Sequence, residues 1–242
     1  MKTFAIGDIH GGLRALEQLL SRINPQDDDT FIFLGDYVDG WSESAQVIDY
    51  LIDMSDKYKC VFIKGNHDVW CEDWLHLGKI DETWYKHGGE ETIKSYSNFT
   101  QNQKNNHLEF FERMRFHYVE HGKLFVHAGF TSIYGVSNED YPLTLCWDRT
   151  LWEMVCAMDK TLTTDSKFYP KRLLKYKEIY IGHTPTIFSD KTFDKPLNFA
   201  NVWNIDTGSA FTGKLSAINI DTKAVFQSDV VQSFYPDEKG RN

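Results

Sequence analysis

Six side chains in this sequence are suited to holding metal ions: Asp8, His10, Asp36, Asn66, His127 and His183. They offer oxygen and imidazole donors and no thiolate. That donor set suits manganese first, with iron or zinc next, at a hydrolytic centre, and it argues against a structural zinc site. A carboxylate shared between two such sets can bridge a pair of ions about 3.5–4 Å apart. Asp36 is the expected bridge. An ion pair of this kind acidifies a water and clamps an oxyanion, and phosphate esters match it because they hydrolyse very slowly unaided. His67 follows Asn66 directly and is expected to protonate the leaving oxygen as a general acid. Asp39 is expected to orient His67 and keep it protonated.

Short strands must position these groups. Phe31-Ile32-Phe33-Leu34 is a continuous apolar run that stops at Gly35, so it reads as a buried strand with Asp36 at its carboxyl end, where open α/β sheets place ligands. Thr3-Phe4-Ala5-Ile6 ends the same way at Gly7-Asp8-Ile9-His10, and an extended segment there points Asp8 and His10 to one side. Cys60-Val61-Phe62-Ile63 stops at Gly65-Asn66-His67-Asp68. Tyr118 to Val126 reads as a hairpin around Gly122, ending at His127-Ala128-Gly129. Ile179-Tyr180-Ile181 ends at Gly182-His183-Thr184-Pro185.

Helices are expected between the strands. Leu13, Leu16, Leu19, Leu20 and Ile23 recur at helical spacing, and Asn24-Pro25 ends that run. Ser42 to Met54 reads as a second helix with Ser42 as N-cap. Asp27-Asp28-Asp29 reads as a solvated turn. Residues 69–115, rich in Trp, His, Lys and Glu, read as a helical insertion beside the sheet or over the site, with His76, His87 and His107, like His117 beyond it, as ordinary surface or boundary histidines. Trp203 to Gly208 and Leu215 to Ile220 read as paired strands. The tail from Tyr235 to Asn242 is polar and is expected to fray.

Composition narrows the class. The chain has 242 residues, 41% apolar and 25% charged, enough for a sizeable core in a single domain, 1–242. The net charge of -9 disfavours non-specific binding to nucleic acid or an anionic membrane. The N-terminus runs straight into a strand with no apolar leader, no stretch is long enough to span a bilayer, and the four cysteines form no CxxC pair. A cytoplasmic protein with reduced thiols is the expectation.

GDIHG, GDYVDG, GNHD, HAG and GHTP occur in this order along the chain, four of them directly after apolar runs. In this the sequence resembles the PPP family of the calcineurin-like metallophosphoesterase superfamily, above all its bacterial and phage members, which include serine/threonine protein phosphatases and symmetrical diadenosine tetraphosphatases. The resemblance covers Gly7 to Gly208. It implies an α/β fold, a β-sandwich with helices on both sides in four layers, α-β-β-α. It implies that Asp8, His10 and Asp36 hold one metal, and Asp36, Asn66, His127 and His183 the other, with His67 as acid and Asp39 behind it. Trp147-Asp148-Arg149 is similar to a bacterial-type segment whose arginine binds phosphate, so Arg149 is an expected substrate-binding residue, together with Asn66. Gly88-Gly89-Glu90-Glu91-Thr92 and Asn204 to Gly208 also look like bacterial family segments.

Two departures stand out. The family pattern GDxVDRG has arginine where this chain has Gly40, so a bidentate phosphate clamp is missing there. Arg149, Arg14 or a lysine of the insertion is the expected substitute. GNHE is commoner than the GNHD that ends at Asp68. The leading expectation is a dinuclear metal-dependent phosphoesterase acting on phosphoserine or phosphothreonine in proteins, with a metal-activated water as nucleophile. The first alternative is a symmetrical dinucleoside polyphosphate hydrolase or phosphodiesterase, with Trp70, Trp74 and Trp84 forming a pocket for a base. A second, of another class, is a weakly catalytic protein that binds metal and phosphorylated partners.

Overall fold

The computed structural model describes residues 1–188, 192 and 194–242. In chain order it contains β1 (Thr3–Ile6), α1 (Leu13–Ile23), β2 (Thr30–Phe33), α2 (Ser44–Ser55), β3 (Lys59–Phe62), α3 (Asn66–Leu77), α4 (Glu82–Trp84), α5 (Glu90–Ser95), α6 (Gln101–Glu112), β4 (His117–Glu120), β5 (Lys123–Val126), α7 (Thr144–Trp147), α8 (Thr150–Ala157), β6 (Glu178–Ile181), β7 (Leu197–Phe199), β8 (Val202–Asn204), β9 (Lys214–Asn219) and β10 (Val225–Val230).

Among the described residues the strands form two five-stranded sheets, in the orders β10-β9-β1-β2-β3 and β4-β5-β6-β8-β7. β1, β2 and β3 run parallel, as do β5, β6 and β8; β9 and β10 at one edge, and β4 and β7 at the edges of the second sheet, are antiparallel. Strand alternation explains how both faces are buried. Ala5, Ile32 and Val61 point to the second sheet, where they meet Phe125, Tyr180 and Ile205. Phe4, Ile6, Phe31 and Phe33 point the other way, into a cluster with Leu16 and Leu19 of α1 and Val47, Ile48 and Leu51 of α2. Leu124, Val126, Ile179 and Ile181 face Leu151, Trp152 and Val155 of α8. The layers are therefore α-β-β-α, as expected. Each fully buried Phe or Leu here contributes about 1.5–3 kcal/mol through the area it removes from water.

Several expectations need correction. α2 starts at Ser44, not Ser42, because Ser42 bonds Glu238 through both its N–H (3.0 Å) and its hydroxyl (2.7 Å). Asp29 is buried and accepts the N–H groups of Lys2 (2.7 Å) and Gln26 (3.1 Å), so the acidic turn is anchored at its third residue. β8 and β9 do not pair with each other: β8 joins β6 and β7, and β9 crosses to the first sheet beside β1. His107 is buried, bridging the Tyr96 hydroxyl (2.8 Å) and Asp49 (2.8 Å). The tail does not fray: Tyr235 is buried and stacks on Trp41, with ring centres 5.2 Å apart. All four cysteines are free, and no helix among the described residues is long and apolar enough to cross a membrane.

Candidate metal centre

The carboxyl ends of β1, β2 and β3 meet those of β5, β6 and β8, and the loops leaving them carry the predicted residues. Asp8, His10, Asp36, Asn66, His127 and His183 are all buried there. Backbone strain marks the place. His10, Asp36, Asp39 and His183 have φ of 53°, 54°, 71° and 68°, a left-handed conformation that costs a side-chain-bearing residue energy and persists only where surrounding contacts hold it. Close approach matters as well. A Cβ on Gly65 would lie 2.1 Å from the Asp36 carboxylate, so only glycine fits between the β3 loop and Asp36.

Carbonyl groups set the histidine tautomers. His10 Nδ1 donates to the Val38 and Asp39 carbonyls (3.1 and 2.9 Å), which turns Nε2 towards Asp36 Oδ2 at 3.6 Å and Asp8 Oδ2 at 4.0 Å. His127 Nδ1 donates to the Leu34 carbonyl (2.7 Å), leaving Nε2 3.4 Å from Asp36 Oδ2 and 3.2 Å from both Asn66 Oδ1 and His183 Nδ1. Two sets of convergent donors result, His10, Asp36 and His67 on one side and Asp36, His127 and His183 on the other, sharing Asp36.

The residues fit a pair of cations. Asp8 Oδ1 and His183 Nε2 are buried without a hydrogen-bond partner, a costly state that a metal ion would relieve. Asp8, Asp36 and Asp206 are buried together, and among the described residues none of them pairs with a lysine or arginine. Their mutual charge shows in the acidities. Burial, with Asp206 beside it, pushes Asp8 well above the usual carboxylate range. Burial alone would raise Asp36 too, but the imidazoles of His127 and His67 hold it well below. Burial works against a charged His127, yet Asp36 raises it to about 10, so a positive charge is favoured where a cation would sit.

His67 and Asp39 meet as expected: His67 Nδ1 lies 2.5 Å from Asp39 Oδ2. Burial lowers His67 to about 3 and raises Asp39 to about 8, so the pair favours one shared proton over a separated ion pair. Asp39 therefore orients the imidazole, but its charge does not outweigh burial to keep His67 doubly protonated.

Residues to which the sequence assigned no role complete the site. Trp84 Nε1 donates to Asp39 Oδ2 (2.7 Å) and the Thr92 hydroxyl to Asp39 Oδ1 (2.6 Å). The GGEET segment thus holds Asp39; its likeness to family segments was visible, but its role was not. Asp68 accepts the N–H groups of Gly65 (2.7 Å), Asp36 (2.8 Å) and Tyr37 (2.9 Å), which fixes the loop bearing Asp36. Asp206, from the Asn204 to Gly208 segment, is buried, and its charge acts on Asp8.

The tryptophans separate. Trp84 is fully buried on Asp39, and Trp74 packs on Trp84 and Tyr96. Trp70 alone of the three reaches the centre, edge-on to His67 at 5.2 Å and to the exposed Trp147 at 4.8 Å. Arg149 is exposed at the start of α8, and its charge acts on His183, whose own acidity rises chiefly through burial. Arg14 is committed elsewhere, to Glu43 (3.2 Å) and the Phe234 carbonyl (2.7 Å). Lys94 of the insertion pairs with Glu90 and Glu91.

Residues 1–206 match the calcineurin-like phosphoesterase family. The chain belongs to that family. This phosphoesterase is 26% identical over 239 residues to a protein of Oceanobacillus iheyensis named bis(5'-nucleosyl)-tetraphosphatase PrpE [asymmetrical], covering 92% of this chain and 90% of that one. It is 37% identical over 70 residues, 28% of its length and 25% of the other's, to a symmetrical bis(5'-nucleosyl)-tetraphosphatase of Proteus mirabilis. Its fold resembles that of a serine/threonine phosphatase from Saccharomyces cerevisiae with similarity to human phosphatase PP5, at a TM-score of 0.65 and 16% identity, covering 100% of this chain and 83% of that one. At that identity the likeness speaks for the fold alone. The family acts through two metal ions, and the two donor sets around Asp36 accord with that.

Proposed function

We propose that this phosphoesterase hydrolyses dinucleoside polyphosphates, cleaving diadenosine tetraphosphate asymmetrically. The observation that carries the reading is the Trp70–Trp147 pair set edge-on beside His67, an aromatic wall next to the reacting centre on which a base can stack. The relative that matches along nearly the whole chain bears an asymmetrical name, whereas the symmetrical relative matches only 70 residues.

Asp8, His10 and Asp36 would hold one ion, and Asp36, Asn66, His127 and His183 the other, with manganese first and iron or zinc next. When bound, the ions supply an activated water and offset the negative charge of the phosphoryl oxygens. The protein's own residues do the rest. His67 presents Nε2 to the leaving oxygen while Asp39 fixes its ring, and the approaching polyanion raises the proton affinity that burial has lowered. Arg149, in no ion pair with a described residue and close enough for its charge to reach His183, meets an outer phosphate. Asn66, whose Oδ1 lies 2.9 Å from His183 Nδ1, borders the same oxygen-binding region.

Metal-free and manganese-loaded protein, tested side by side on diadenosine tetraphosphate, a phosphothreonine peptide, p-nitrophenyl phosphate and bis-p-nitrophenyl phosphate, checks this. Metal-dependent release of ATP and AMP, resolved by ion-exchange chromatography, is the expected result. Two molecules of ADP would mark symmetrical cleavage. Preference for the phosphopeptide would restore the protein phosphatase reading of the sequence.

A further inference from the structure

We infer that Arg241 provides the phosphate-binding guanidinium that position 40 lacks, delivered by a C-terminal segment seated on Trp41. The inference rests on the phosphoester reading of the site but not on which phosphoester is cleaved.

Position 40 cannot easily carry the missing arginine itself. Gly40 has a φ of +122°, which strains any residue with a side chain, and a Cβ there would lie 3.2 Å from the His10 carbonyl. The same Cβ would lie 3.4 Å from Cγ of Arg241, so the stem of Arg241 runs through the space next to Gly40 where a residue-40 side chain would begin.

Trp41, next to Gly40 in the chain, makes the seat. Its indole N–H donates to the Ser209 carbonyl (2.8 Å), and its ring stacks on Tyr235 at 5.2 Å and 17°. Gly240 packs so close that a Cβ on it would lie 2.8 Å from the Trp41 ring. Arg241 N–H donates to the Ala210 carbonyl (2.8 Å), Glu238 takes both hydrogen bonds of Ser42, and the Tyr235 hydroxyl bonds Glu43. Backbone and neighbouring side chains are thus held, while the guanidinium is not. It lies 5.4 Å over the Phe211 ring and makes no hydrogen bond or ion pair to a described residue. Its charge nevertheless acts on His10, Asp39, His67 and Asp206. An unpaired guanidinium on an anchored backbone, electrostatically coupled to a phosphoesterase centre, is suited to bidentate recognition of a phosphoryl group.

Arg241→Ala, Arg241→Lys and Glu238→Ala test this, with Arg113→Ala as a remote charge control. Titration calorimetry with inorganic phosphate on manganese-loaded protein reads the site without reference to substrate, and phosphate inhibition and kcat/KM are measured on the best substrate of the wild type. Arg241→Ala should weaken phosphate and lower kcat/KM by roughly 10–100-fold, the loss of a hydrogen-bonded charge pair, at unchanged melting temperature and metal content. Lysine should recover part of the loss. Glu238→Ala, which frees the segment from Ser42, should reproduce the defect in milder form and add little to Arg241→Ala. Phosphate affinity within twofold of wild type in Arg241→Ala would overturn the inference. A wild type that binds phosphate through Arg241 yet cleaves no dinucleotide would refute the substrate proposed above and leave Arg241 in its role. A wild type that neither binds phosphate nor turns over any ester would remove both.

Discussion

Trp84 donates its indole N–H to Oδ2 of Asp39, the same oxygen that His67 Nδ1 approaches. A fully buried tryptophan from the helical stretch therefore controls the orientation of the residue behind the general acid, without reaching the reacting atoms. Trp84→Phe should lower kcat about tenfold on an alkyl phosphate, through the loss of one buried hydrogen bond to Asp39, and much less on p-nitrophenyl phosphate. A purely structural role would depress both substrates alike, so the ratio is the quantity to measure.

His67→Asn should keep its metal content and lose most turnover on esters with poor leaving groups, about 10²–10⁴-fold. On p-nitrophenyl phosphate, whose leaving group hardly needs a proton, the loss should be much smaller. Equal losses on both would remove His67 from the general-acid role.

Manganese added to metal-free protein should raise the melting temperature by about 5–10 °C when the ion is some hundredfold above its dissociation constant. Asp36 stands in both donor sets, so Asp36→Asn should shrink that shift to under about 2 °C and abolish turnover. An undiminished shift in the variant would show that the ions bind elsewhere.

Trp147→Ala should raise KM for diadenosine tetraphosphate about five- to tenfold, as expected for a stacked base, and leave p-nitrophenyl phosphate within twofold. Trp147 is exposed, so the change carries little folding cost. Equal effects on the two substrates would show that the wall does not receive a base.

Stability should fall as pH drops below about 6.5, the unfolded-state value of histidine, in part because of His107. Burial lowers its pKa in the folded state, against the opposing pull of Asp49, so the fold prefers the neutral ring. That contribution is complete above the unfolded value and is lost as the pH falls towards the folded one. Melting temperatures at pH 7.5 and 5.5 should differ less in His107→Gln than in the wild type; an equal or larger difference would clear His107 of the effect.

The local pattern of this chain carries much of its architecture. Phe31 to Leu34 is apolar on both faces because β2 lies between α1 and α2 on one side and the second sheet on the other, and that double burial is legible in four consecutive residues. The end of α1 at Asn24 was legible too, since Pro25 excludes a helical continuation. The start of α2 was not. Ser42 has the right chemistry for an N-cap, but its hydroxyl is engaged by Glu238, 196 positions away in the chain. The separation of β8 from β9 is hidden for a similar reason. Each is a strand by its own pattern, and only the packing of two sheets decides that they part company.

The metal-ligand candidates were readable because each sits directly after a strand, where chemistry and backbone position coincide in a few residues. By itself the sequence named the candidate donors, the strands that present them and the closeness of His67 to Asp39. Tertiary structure alone decided how Asp39 is held, by Trp84 and Thr92, which of three tryptophans faces the centre, and that a tail expected to fray is packed on Trp41. The physical reason is range. A ligand motif is a local geometry written in neighbouring residues, whereas orientation and charge at a buried centre come from side chains that the fold brings together across as many as two hundred residues.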